Sequence, residues 1–271
     1  MGNCCLLHRM RTATRKRGAH LCVGILTVPH SNSRGHIMKS YVDWFENHGV
    51  RVVPIPYDTK TPAAYCSMIN GLFIPGTDRG YDVTNRAFMR TLRVFLNWSM
   101  EPMVYFPIWG TCFGMEALLK ATGIRELSQH PADGRHPIHV YASRMMQSFS
   151  RRFITELEDT PSTLQNHDYG ISPQEMRRHP VLRRLFRVAA TSMDENGKEY
   201  VAAMEAYRYP IYGVQFHPER MMSNRPFLEF FRKELARNPV PIPVLHPRIH
   251  TFVRASSCRE DGKKELCYFF S

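Results

Sequence analysis

Three residues of types that together perform acyl transfer stand out in the chain: Cys112, His217 and Glu219. A cysteine attacks a carbonyl carbon as its thiolate, a histidine moves the proton, and a carboxylate fixes the histidine's tautomer and supports its charged form. Cys112 lies in Phe106-Pro107-Ile108-Trp109-Gly110-Thr111-Cys112-Phe113-Gly114-Met115-Glu116. The apolar run Met103 to Trp109 reads as a buried strand, and Met115 to Leu119 as an apolar-periodic helix. Strand, Gly-Thr-Cys-Phe-Gly turn and helix make the pattern of a nucleophile elbow, where glycines spare the crossing backbone a Cβ. The helix N-terminus behind the thiol favours its ionised form. A buried structural thiol is the competing reading of this stretch.

Among thirteen histidines, His217 is set apart by its place. In Tyr212-Gly213-Val214-Gln215-Phe216-His217-Pro218-Glu219 a strand runs directly into His-Pro-Glu, and Pro218 fixes φ to make the turn. Glu219 is then within reach of the imidazole nitrogen that faces away from the thiol. A lone histidine at a strand end is ordinarily structural. Cys112 in the same sheet and Glu219 behind it favour catalysis.

The elements that must hold these residues alternate strand with helix. Strands are expected at Leu21–Thr27, Val50–Ile55 and Leu72–Ile74, then at Pro137–Ala142, Leu185–Thr191, Tyr200–Ala206 and Ile211–Phe216. Helices are expected at His36–His48, just after Thr61-Pro62, at Thr84–Asn97 and at Pro226–Arg237. Gln129–Gly134 and Leu164–Gly170 read as loops. This order predicts an α/β fold with a mostly parallel sheet covered on both faces, and ligands at the carboxyl ends of its strands, where Cys112 falls. Three segments follow: a basic stretch over 1–20, an α/β domain over 21–237, and a Pro-rich linker with a loosely attached tail over 238–271.

At 271 residues, 43% hydrophobic and 22% charged, the chain has room for a sizeable core. Its longest clean apolar run, Leu21 to Val28, is too short to span a bilayer. The net charge of +12 raises nucleic acid as a partner. Basic residues cluster at Arg9–Arg17 and Arg177–Arg187, but no nucleic-acid motif accompanies them, so the clusters read as solvated faces or as attraction for a polyanionic small substrate. Seven cysteines show no zinc-ligand spacing, and neither metal nor cofactor is expected. Cys258 and Cys267 are near enough to pair. Met1-Gly2-Asn3-Cys4-Cys5 is like an acylated N-terminus, with Leu6 where Ser or Thr is usual, and membrane association is expected only through such acylation. No small-residue cleavage site makes a clear signal peptide of the first residues.

Trp109 to Gly114 together with Tyr212 to Glu219 resembles the class I glutamine amidotransferase-like superfamily, whose fold is a flavodoxin-like three-layer α/β arrangement. The longer similarity, from about Leu21 to Arg237, resembles the gamma-glutamyl hydrolase family, enzymes that trim folate polyglutamates. It is carried by Gly24–Thr27, Ile69–Gly76, Tyr105–Glu116 and Met204–Tyr212. The resemblance implies a Cys112 nucleophile, His217 as base and then acid, and Glu219 as third member, with no cofactor. It implies substrate contacts at Glu116, His167 and Gly76, and oxyanion amides at Phe113 and Thr77. By spacing alone Glu116 is equally a helix-face charge. The family loop reads Pro-Gly-Gly where this chain has Pro75-Gly76-Thr77, so Thr77 serves only if its backbone suits a residue with a Cβ. The small-molecule substrate implied is a folate polyglutamate, and a homodimer stays open. The family implies a vacuolar, lysosomal or extracellular setting and glycosylation, with Asn97-Trp98-Ser99 as a sequon; an acylated cytoplasmic form is the alternative. Two other functions stay open: a glutaminase half that feeds ammonia to a synthetase, and a non-catalytic ligand-binding relative.

Overall fold

A computed structural model describes residues 21–29, 35–77, 85–238, 256–260 and 263–270. The acylation motif and most of the loop after Thr77 lie outside the described residues. The main sheet has eight strands: β1 (Leu21–Leu26), β2 (Val50–Ile55), β3 (Gly71–Ile74), β4 (Ile108–Thr111), β5 (His139–Val140), β6 (Phe186–Met193), β7 (Glu199–Ala206) and β8 (Ile211–Val214). Their spatial order is β2-β1-β3-β4-β8-β7-β6-β5. The first five are parallel, and β8 to β5 continue as antiparallel neighbours.

Alternation along the strands feeds two apolar layers. Val23 and Ile25 of β1 face one cluster, with Tyr41 and Phe45 of helix α1 (Lys39–Glu46) and Phe227, Phe231 and Leu235 of the last described helix (Arg225–Arg237). Cys22 and Leu26 face the other, with Phe88, Leu92 and Phe95 of helix α2 (Arg86–Met100) and Met115, Leu118 and Leu119 of helix α3 (Phe113–Ala121). Asn85 caps α2 by accepting from the backbone of Ala87 and Phe88, which offsets two of the donors a helix start leaves unpaired. Phe73 of β3 packs edge-on against Phe45 and tilted on Tyr41, at ring distances of 5.1 and 5.3 Å. Truncating such a buried ring to alanine costs about 3–5 kcal/mol, so α1, which carries Tyr41, is firmly seated on the sheet.

The strand reading holds for the core of the sheet, with shifted ends. The strand before Cys112 begins at Ile108 rather than Met103, because Met103 has φ 66°, outside the extended region, and Pro107 cannot give a ladder N–H. The expected helix His36–His48 begins at Lys39; Gly35–Met38 is a strand paired with residues 28–29 and with Lys263–Phe270. Residues 256–260 and 263–270, expected as a loose tail, form an antiparallel hairpin closed by a Cys258–Cys267 disulfide. Leu164–Gly170 and Gln129–Gly134, expected as loops, fall in two strands, Thr163–Gly170 and Ser128–His136, that pair with each other. Among the described residues no helix is long and apolar enough to cross a membrane, and no group of three His, Cys, Asp or Glu side chains could hold a metal ion.

Candidate active site

Three neighbouring parallel strands deliver the site. β3, β4 and β8 are adjacent, with Ile74 opposite Gly110 and Thr111 opposite Val214. Their carboxyl ends therefore release Pro75–Thr77, Cys112 and Gln215–His217 at one edge. The Cys112 amide donates to Val214 O at 2.8 Å, which ties the elbow to the strand that carries the histidine.

Cys112 has φ 51° and ψ −113°, a conformation rare for a residue with a Cβ. Strain of this kind costs on the order of 1–3 kcal/mol and persists where the surroundings fix it. The packing supplies that fixing. A Cβ on Gly114 would stand 2.1 Å from Ile74 O, so α3 approaches β3 as closely as only glycine permits. The thiol is buried, with Sγ 3.7 Å from Asn166 O on the strand Thr163–Gly170. Burial pushes its pKa above the usual value. The positive charge of the nearby His217 ring pulls it down again, as does the Phe113 backbone N–H.

His217 is 1% exposed, and its backbone N–H is held by Leu164 O at 2.9 Å. Nδ1 meets Glu219 Oε1 at 2.9 Å, a carboxylate whose side chain is fully buried in the short turn Pro218–Arg220. Nδ1 therefore carries the proton in the neutral ring, and Nε2 is left to the thiol. Burial disfavours the charged ring, but the Glu219 carboxylate and then the Cys112 sulfur outweigh it and hold the imidazole well above 6.5. The Cys112 thiol and the His217 imidazole, each shifting the other, titrate as one unit sharing protons. Arg220 Nε lies 3.7 Å from Glu219 Oε1, and its Nη1 reaches Glu265 of the C-terminal strand at 2.8 Å.

The loop after β3 comes in from the other side. A Cβ on Gly76 would stand 2.9 Å from His217 Cε1 and 3.3 Å from Cys112 Cβ, which places Gly76 between the two. Its N–H donates to Tyr41 Oη at 2.9 Å, and the same hydroxyl lies 3.3 Å from His217 Nδ1. Thr77 is buried, and it is not among the described non-glycine residues with positive φ, which are Met103 and Cys112; its Cβ meets no backbone penalty there.

Glu116, one turn into α3, is buried and accepts from Gln215 Nε2 at 2.9 Å. Burial lifts its pKa from 4.5 to about 7, against the Gln215 hydrogen bond and Lys120. Its carboxyl thus exists both neutral and ionised at neutral pH, and can either donate or accept. His167 is buried on the strand next to the thiol, its Nδ1 3.1 Å from Tyr169 O and its ring edge-on to Tyr200 at 4.9 Å. The expected residues thus gather at one edge: His217 hydrogen-bonded to Glu219, Cys112 on the neighbouring strand end, Gly76 and Phe113 against the thiol, Thr77 adjoining Gly76, and Glu116 and His167 around them.

Sequence reasoning missed Tyr41. It stands on the apolar stripe of α1 with Trp44 and Phe45 and reads as core. The one signal is that it brings the stripe's only hydroxyl. Gln215, the partner of Glu116, was also missed, since only the fold brings residues 99 positions apart together.

The arrangement can form an acyl-thioester: a thiol and an imidazole that shift each other's proton affinity, a carboxylate behind the ring, and the Phe113 backbone amide beside the sulfur. The model of the family described as Glutamine amidotransferase class-I matches residues 33–233. The chain is 32% identical over 216 residues to Gamma-glutamyl hydrolase B of Dictyostelium discoideum, covering 73% of this chain and 62% of that protein. It is 33% identical over 202 residues to Gamma-glutamyl hydrolase of Homo sapiens, covering 69% and 61%. The chain thus spans about six tenths of the length of these curated relatives. In fold it is similar to a Thermoplasma acidophilum protein described as a GMP synthase component, with a TM-score of 0.57 at 18% identity, over 80% of this chain and 95% of that one. With three-quarters of its length inside the match, the chain belongs to the class-I glutamine amidotransferase family.

Proposed function

We propose that the chain hydrolyses γ-glutamyl bonds through an acyl-enzyme on Cys112, and that its substrates are folate poly-γ-glutamates. The observation that carries the reaction type is Cys112 and His217 released at one sheet edge, with Glu219 hydrogen-bonded to His217 Nδ1 and the ring's charge acting on the thiol. The similarity to proteins named gamma-glutamyl hydrolases supports the bond cleaved. The net charge of +12 favours a substrate with many carboxylates.

The thiolate attacks the γ-carbonyl carbon, and the carbonyl electron pair moves onto oxygen. The Phe113 N–H supports that oxyanion from the elbow. In the facing loop the Gly76 N–H is engaged by Tyr41, so Thr77 supplies the second donor. As the tetrahedral centre collapses, the C–N bond breaks and imidazolium at His217 Nε2 protonates the leaving amine. Water then gives a proton to the neutral imidazole and attacks the thioester carbon. Collapse releases the γ-carboxyl product and the thiolate. Glu219 supports His217 each time the ring is charged. Glu116, His167 and Gly76 line the acyl pocket in this reading.

A glutaminase reaction uses the same steps with ammonia as leaving group, and the family match favours it as the second reading. The test is to incubate the chain with a folate pentaglutamate and with free glutamine and to resolve the products. Shortened folate supports the proposal. Ammonia from glutamine with intact folate assigns the glutaminase reading, and turnover of neither sinks both.

A further inference from the structure

The carboxyl end of α3 faces a different environment from the end that carries Cys112. Nine residues at about 1.5 Å each place it about 13 Å away along the helix. A groove of about 670 Å³ opens there, within the range of roughly 300–1,000 Å³ that small-molecule sites occupy. Leu96 and Met100 of α2 and Leu185 give it an apolar floor, and Arg93, Arg184 and Arg208 stand around it. The three arginines come from three separate pieces of chain: α2, the short helix Leu182–Leu185, and the turn between β7 and β8. Among the described residues no Asp or Glu lines the groove, and none of the three guanidiniums has a carboxylate partner. Nearby Arg144 and Arg187 behave otherwise, since both approach Glu205, at 3.6 and 3.7 Å.

Three unpaired like charges around one concavity repel each other, so folding stability does not gather them. The carboxyl ends of α2 and α3 border the groove, each with about half a negative charge. Together they offset about one of the three positive charges, which leaves the groove strongly cationic. A guanidinium presents a planar fork that matches phosphate or carboxylate oxygens two at a time. We propose that this groove is a second binding site, for a small molecule that joins an apolar body to two or three clustered anionic groups, phosphate or carboxylate. Its location on the amino-terminal edge of the sheet keeps it apart from the thiol, and it stands whether or not the γ-glutamyl reading does.

Calorimetric titration of the full chain tests this with two probes: metal-free adenosine triphosphate, and a folate pentaglutamate added to the Cys112→Ala chain so that no turnover intervenes. For a phosphate ligand, the nucleotide binds with one saturable equivalent. For a carboxylate ligand, the folate binds at the groove, beside any equivalent that the active site takes. In either case the Arg93→Ala/Arg184→Ala/Arg208→Ala variant weakens the groove equivalent at least about 100-fold, since hydrogen bonds to charged groups contribute about tenfold or more each. Raising the salt weakens the same equivalent. Unchanged circular dichroism and unchanged hydrolysis in the triple variant exclude misfolding. No saturable nucleotide binding together with no folate equivalent that the triple replacement weakens overturns the proposal. So does nucleotide binding that the triple variant does not weaken. A folate equivalent that survives the replacement leaves the active site intact.

Discussion

The two ends of α3 carry polar groups under opposite conditions. At the amino end, Cys112, His217 and Glu219 have side chains almost wholly removed from water, with the imidazole hydrogen-bonded to Glu219 and its charge acting on the thiol. At the carboxyl end, Arg93, Arg184 and Arg208 are exposed and carry no acid partner among the described residues. The contrast separates chemistry from recognition. Burial moves proton affinities by amounts that matter for bond making, and it costs stability unless partners offset it. Exposed guanidiniums act only on what diffuses to them. A substitution at the amino end should therefore alter rates and pH profiles steeply, and one at the carboxyl end should leave both alone.

The largest effect expected from breaking the amino end is loss of the nucleophile. Cys112→Ala should lower hydrolysis by about 10⁴-fold or more, with an unchanged circular dichroism spectrum. Full activity in this variant would falsify the assignment of the thiol. Next in size is Glu219→Gln, which keeps the shape of the side chain but removes the charge that holds His217 up. The rate should fall by up to about 10⁴-fold, because the imidazolium loses its counter-charge. The sign of the pH effect is separate. Glu219 raises the proton affinity of His217, so its removal lets the coupled pair lose its first proton more easily. The acid limb of kcat/KM against pH should then move to lower pH. A limb that stays in place or moves up would show that Glu219 does not act on the ring.

The amino end of α3 was legible because its signals are local. A strand, a tight Gly-x-Cys-x-Gly turn and a helix follow one another in eleven residues, and His-Pro-Glu carries its own turn. The parts that were not legible depend on distant pairing. Gln165, Asn166 and His167 read as loop because a polar string lacks the apolar alternation of a core strand, yet they pair in a two-stranded ladder outside the main sheet. Gly35–Met38 reads as the start of α1 because Ile37 continues the apolar stripe; strand pairing with residues 263–270 overrides that local preference. Tyr41 reads as core, and it is core except for one oxygen, whose partners Gly76 and His217 lie 35 and 176 positions away.

The smallest of the three effects concerns the residue between the two ends. Glu116 is buried one turn from Cys112, with a pKa of about 7 against the ordinary 4.5. Because the folded value is the higher one, the folded state holds a proton that the unfolded chain has released. Its contribution to stability is complete below about pH 4.5 and is lost as the pH rises to about 7. At about 1.4 kcal/mol per pKa unit, the loss is about 3 kcal/mol. Glu116→Gln stays neutral at every pH and keeps an oxygen for Gln215 Nε2. The variant should match the parent chain near pH 4 and exceed it by about 3 kcal/mol at pH 8, measured by urea unfolding at the two values. Equal stability at pH 8 would mean that water or a mobile cation reaches the carboxylate. In that case the buried character assigned to the amino end of α3 would stop short of its first turn.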